Sequence, residues 1–157
     1  MRVSDLKPSK DYLPAIPANI RVAQEFVFRK WCERAAENGR EPPTDLTSAC
    51  KFSSMFVVAV FGGKIRGNFF HQWAELSDGQ RVDLNDKAAD TLMMQQGRVP
   101  DDVAAYAKAF GMTLPRNLYT HDASHMRHPD TRDSASSIRP RIERWRKEFM
   151  EAMGAAH

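Results

Sequence analysis

Cysteine is scarce in this chain, which carries only Cys32 and Cys50 among its 157 residues. Two thiols in a sequence with no secretion signal read as reduced side chains rather than as a disulfide, so both stay chemically available. Also lacking is any apolar run near the ~18 residues needed to cross a bilayer. The opening segment, MRVSDLKPSKDYLP, has none of the apolar stretch that heads a secreted protein. A cytoplasmic protein with no membrane partner is the expectation. Charge of one sign is lacking too, since 23 Lys and Arg against 20 Asp and Glu leave a formal net charge of +3, well within what a solvated surface carries. No internal repeat or single-residue tract is present.

What is there suits one globular domain. The composition is 42% hydrophobic and 27% charged, and the length supports a single core with little room for a second. Residues 1–157 therefore read as one domain: an extended lead-in over 1–18, a helix-and-hairpin core over 19–86, and a helical part over 87–157. Pro8, Pro14 and Pro17 bias the lead-in away from helix. Asn19 then reads as an N-cap for an amphipathic helix over 20–37, with Phe26, Val27 and Trp31 on its apolar face and Gly39 as a stop. After a loop over 38–47, Thr47 or Ser48 can cap a second helix that starts near Cys50 and runs to Gly62-Gly63. Within it VVAVF alone is equally a strand, but the cap before and the double glycine after favour a buried helix.

Next, KIR and NFFHQWAEL read as strands broken or bent at Gly67, followed by a Ser-Asp-Gly turn and the strand QRVDLN. Residues 86–111 and 138–153 read as helical, with a polar loop over 114–137 between them. The fold class is α+β, with the Cys50 helix packed on an antiparallel sheet and flanked by helices.

A cysteine acts as a nucleophile in its thiolate form, and a helix N-terminus favours that charge. Cys50, near the second position of the central helix, meets this condition. An imidazole can hold the thiolate as an ion pair, and a carboxylate on the far ring nitrogen fixes the tautomer. His71 and Asp83 suit these roles if they share a face of the hairpin. Parity decides this. If Ser77-Asp78-Gly79 is a three-residue loop with a left-handed Gly79, Leu76 pairs with Gln80, Trp73 with Asp83 and His71 with Asn85. His71 and Asp83 then become diagonal neighbours, whereas a two-residue turn places them on opposite faces, and Asn85 stands in as orienter if the register lies elsewhere.

On these residues, CKFSSMFVVAVFGGKIRGNFFHQWAELSDGQRVDLN resembles the core of the papain-like and transglutaminase-like superfamily, with cysteine, histidine and acid in that order. The FGG, the H-x-W strand and the DG-x-x-V-D-L hairpin are similar to small bacterial proteins of the YunG type. The resemblance covers residues 48–86. It implies acyl chemistry without a cofactor on a protein, peptide or small amide or ester: a peptidase, amidase, deamidase or transglutaminase-like transferase. This sequence departs from the superfamily pattern at Lys51, where many members carry an aromatic or small residue. It also has no Gln or Asn just before Cys50 to complete an oxyanion hole, leaving Gln24 and the Cys50 N–H as candidate donors.

The remaining candidates have plainer readings. Cys32 lies inside an amphipathic helix and reads as packing. Trp73 would share the face of His71, as core with one edge at the site. His121, His125 and His128 lie in a polar loop and are assigned no metal. The last helix has a stripe of Ile138, Ile142, Trp145, Phe149 and Met153, with arginines on the rest. Its Arg139-to-Lys147 face motivates an alternative function, a non-catalytic module, such as a phage or mobile-element accessory protein, that binds nucleic acid or an acidic partner.

Overall fold

A helix that is apolar on nearly every face must be covered on nearly every face, and this requirement sets the architecture. The computed structural model describes residues 12–122 and 129–155, with side chains described outside 129–136 and 155. In chain order its elements are α1 (Pro17–Glu37), α2 (Cys50–Phe61), β1 (Lys64–Gly67), β2 (Gln72–Glu75), β3 (Arg81–Val82), α3 (Ala89–Gln95), α4 (Asp101–Ala109) and α5 (Pro129–Ala155). Among the described residues this is an α+β fold of five helices and one three-stranded antiparallel sheet in the order β1-β2-β3.

The apolar α2 is the central element. Its Phe52, Phe56, Val57, Val60 and Phe61 are buried between Ala23, Phe26 and Val27 of α1, the sheet residues Ala74 and Val82, and Ile138, Ile142, Trp145 and Phe149 of α5. Phe56 is the hub, with ring centroids 5.4 Å from both Phe26 and Phe149. Its removal would forfeit transfer energy and leave a void, together about 3–5 kcal/mol. A smaller cluster of Phe69, Phe70, Met94, Ala107 and Leu118 joins α3 and α4 to the β1–β2 turn.

Two turns set the site. In the first, the Asn68 side chain accepts the Phe70 and His71 N–H groups at 2.8 and 3.2 Å, while the Asn68 N–H donates to the His71 carbonyl at 3.0 Å. The side chain thus takes the place of ladder partners, and His71 sits in a tight turn one residue before β2 rather than within a strand. In the second, Gly79 has φ +88°, its N–H donates to the Leu76 carbonyl at 2.9 Å, and the Leu76 N–H donates to the Gln80 carbonyl at 2.9 Å. That is a three-residue loop closed by a left-handed glycine. The paired residues Ala74↔Val82 and Glu75↔Arg81 have the register that a three-residue loop requires, and Asp83 follows directly on β3 as His71 directly precedes β2.

Several boundaries differ from those expected. α1 starts at Pro17, with Ile16 rather than Asn19 at the cap; proline suits the first helical position because its missing N–H needs no partner. Asn19 instead donates to the Pro14 carbonyl at 2.9 Å. α2 is preceded by Ala49 with no side-chain cap, so Cys50 is its first residue, while Thr47 and Ser48 use their N–H groups on Asp45 and Asp90. Residues 86–111 hold two helices separated at 96–100, since Gly97 takes a positive φ and Pro100 precedes α4. α5 begins at Pro129, so the expected loop becomes helical from there, and Pro140 lies inside it.

Candidate active site

Cys50, His71 and Asp83 come together where the start of α2 meets the two turns. Cys50 heads the central helix and is half-buried. The helical ladder opens with the Ser53 N–H donating to the Ala49 carbonyl at 2.8 Å, so the N–H of Cys50 precedes it, where unpaired donors favour negative charge. His71 lines the same cleft as Cys50, and each favours the charged form of the other. On its other side, His71 Nε2 lies 2.6 Å from Asp83 Oδ2, which leaves Nδ1 for the thiol.

The carboxylate is buried but fully partnered. Asp83 Oδ2 also accepts the Tyr119 O–H at 2.7 Å, and Oδ1 accepts the Asn85 N–H at 2.9 Å. A buried charge persists only when its lone pairs are met in this way. Burial pushes the Asp83 carboxyl upward, but the hydrogen bond and charge of His71, then the Tyr119 and Asn85 donors, outweigh it and hold the group below the ordinary carboxylate range. For His71, burial favours the neutral ring, yet Asp83 and Cys50 together raise its pKa to about 10. Burial likewise opposes the Cys50 thiolate. The polar interaction with His71 and its charge, then the charge of Lys51 and the Gln72 backbone N–H, reverse this, and the thiol is lowered. All three shifts favour the charged forms, so the groups titrate as one unit.

Aromatic rings enclose the pair. Trp73 stacks on His71 at 6.0 Å, and Tyr119 meets the same ring edge-on at 5.8 Å. They limit water access, which strengthens the interactions they cover. On the open side a cleft of about 200 Å³ is lined by Cys50, Lys51, His71 and Gln72, with Phe69, Met94 and Val103 as an apolar wall and Asp90 and Asp102 as its acidic members.

The other sequence candidates have different positions. Gln24 donates to the Leu84 carbonyl at 2.7 Å and lines a separate cavity with Phe28 and Leu46, so it is not brought to Cys50 as an oxyanion donor. The Asn85 side chain donates to the Leu46 carbonyl at 2.8 Å; it fastens the loop ahead of α2, and Asp83 holds the histidine. Cys32 contacts the Pro43 carbonyl at 3.8 Å, away from the site. His121 accepts the Gly67 N–H on Nδ1 at 3.1 Å, and His125 and His128 lie outside the described residues. Among the described residues no three His, Cys, Asp and Glu side chains are grouped to hold a metal ion.

Two contributors have no motif of their own. Asn68 shapes the His71 turn and donates to the Leu118 and Thr120 carbonyls at 2.8 and 2.9 Å. Tyr119 arrives on that same loop. The Gly67-Asn68 pair was a readable turn signal, but nothing local marks Tyr119 as a partner of a residue 36 positions earlier.

No protein-family model, curated protein or solved structure matches the chain significantly.

Proposed function

We propose that the chain is a cysteine-dependent hydrolase or acyl transferase, related in active-site plan to papain-like and transglutaminase-like enzymes. The observation that carries this reading is His71, held by Asp83 at 2.6 Å and lining one open cleft together with Cys50. The Cys50 thiolate attacks the carbonyl carbon of an amide or ester, and the negative charge moves to the carbonyl oxygen beside the start of α2. Collapse of this intermediate breaks the bond to the leaving group, which takes the proton from His71. Asp83 keeps the ring oriented while its charge changes. In the second half, neutral His71 accepts a proton from water or an amine as it attacks the thioester, and Cys50 departs as thiolate. Water gives the acid; an amine gives a transferred amide.

The cleft is smaller than the usual pocket for a whole organic ligand. It suits one acyl substituent of side-chain size, with the rest of the substrate on the surface. The alternative of a basic binding helix draws less support, because Arg141 pairs with Glu37 at 2.9 Å and Arg146 Nε donates to the Ala59 carbonyl at 2.8 Å. Both arginines serve the fold.

An activated ester such as p-nitrophenyl acetate tests the proposal. A burst of nitrophenolate together with an acetyl group on Cys50, both absent in Cys50→Ala, is the expected result. Acetylation spread over lysines, with no burst and none on Cys50, would overturn it.

A further inference from the structure

We propose that Tyr119 is a positioning residue that sets how firmly His71 holds its proton, acting through Asp83. The inference rests on the proposed acyl chemistry and names a fourth member of its machinery.

The phenol does not merely pack nearby. Its O–H donates to Asp83 Oδ2 at 2.7 Å, the same oxygen that His71 Nε2 meets at 2.6 Å. Two donors thus divide one acceptor, and the density that Tyr119 draws is withheld from the imidazolium. The ring is fixed from several sides. It lies 5.2 Å from Trp73 and 5.8 Å from His71, with the Arg81 guanidinium 3.7 Å above its centroid. Gln95 Nε2 donates to the phenol oxygen at 3.1 Å, which polarises the O–H and makes it a better donor.

The loop that carries Tyr119 is itself tied to the His71 turn. Asn68 Nδ2 donates to the carbonyls on both sides of Tyr119, those of Leu118 and Thr120. Gly67 donates to His121 Nδ1 at 3.1 Å and accepts the Asp122 N–H at 2.9 Å. One turn therefore presents the histidine and docks the residue that tunes its carboxylate. Such a device suits a group that must act both as acid and as base: an imidazolium held too firmly protonates a leaving group poorly.

The rate of Cys50 carboxymethylation by iodoacetate, followed from mildly acidic to alkaline pH, tests this. Iodoacetate is an anion, so it reacts fastest while the imidazolium stands beside the thiolate, and the rate falls on the alkaline side as His71 loses its proton. In Tyr119→Phe, which keeps the ring, Asp83 becomes a stronger acceptor and the alkaline limb moves up by about half a pH unit or more. Gln95→Ala moves it the same way by less. A structural role alone would lower the rate without moving the limb. Limbs of both variants superimposed on wild type, or moved down, would overturn the inference. A wild-type rate that rises with pH with no alkaline fall would instead remove the ion pair itself, and with it the acyl-chemistry reading.

Discussion

His71 and Asp83 meet diagonally across the β2–β3 hairpin, Nε2 to Oδ2 at 2.6 Å, because the turn between the strands is three residues long and closes on a left-handed Gly79. With one residue fewer, Asp83 would point to the opposite face.

The pair links stability to pH in two directions. Asp83 is held below its ordinary range, so its contribution is present above that range and lost as pH falls through the folded value. His71 is raised to about 10, so its contribution is full below the ordinary histidine value of ~6.5 and lost as pH climbs towards 10. Asp83→Asn should therefore destabilise most in mildly acidic solution, by about 3 kcal/mol, since it leaves a buried partner uncompensated. Urea denaturation across pH should show the gap to wild type narrowing on the alkaline side.

Gly63 joins α2 to β1 with φ +96°, and a Cβ there would lie 2.4 Å from the Glu75 carbonyl oxygen. The neighbour is strand backbone and cannot swing aside. Gly63→Ala should cost about 2–4 kcal/mol. Gly79→Ala, where nothing lies within 4 Å, should cost only the conformational penalty of roughly 1–2 kcal/mol. Thermal unfolding of the two variants should reproduce that order.

Lys51 contributes positive charge to the Cys50 thiolate. Lys51→Gln should move the acid limb of Cys50 alkylation up by a few tenths of a pH unit, and Lys51→Glu by about half a unit or more. The shift should shrink in high salt, because the lysine is only partly buried. Alkylation rates measured at two ionic strengths provide the check.

Arg141 is committed to Glu37, so wild-type protein should pass a DNA column without salt-dependent retention. Arg141→Glu with Arg144→Glu should lower stability by about 1 kcal/mol or less through repulsion at Glu37. Retention that falls with salt and vanishes in this variant would favour the binding-module reading instead.

How much of this was legible depended on the range of the interaction concerned. The start of α2 at Cys50 and the glycine turn at 77–79 follow from local signals, an apolar run between breakers and a Ser-Asp-Gly loop. Parity tied the hairpin register to the length of that turn and left two alternatives, of which the three-residue loop is formed. Other features hung on side chains reaching across the fold. Asn68 captures two backbone N–H groups and removes His71 from the strand. Gln24 faces the Leu84 carbonyl because of how α1 lies on the core. Tyr119 comes from a loop with no periodicity, and its partner is visible only once the chain is folded. The helical start of α5 at Pro129 was hidden by a polar segment rich in Ser, Asp and His, where turn and helix propensities compete.

The most direct test is the pattern of cysteine alkylation. Brief treatment with limiting iodoacetamide at mildly acidic pH, read by intact mass and peptide mapping, should label Cys50 and spare Cys32, and His71→Ala should abolish the selectivity. Equal labelling of the two thiols, or Cys50 labelling that persists unchanged in His71→Ala, would contradict a thiolate held by His71.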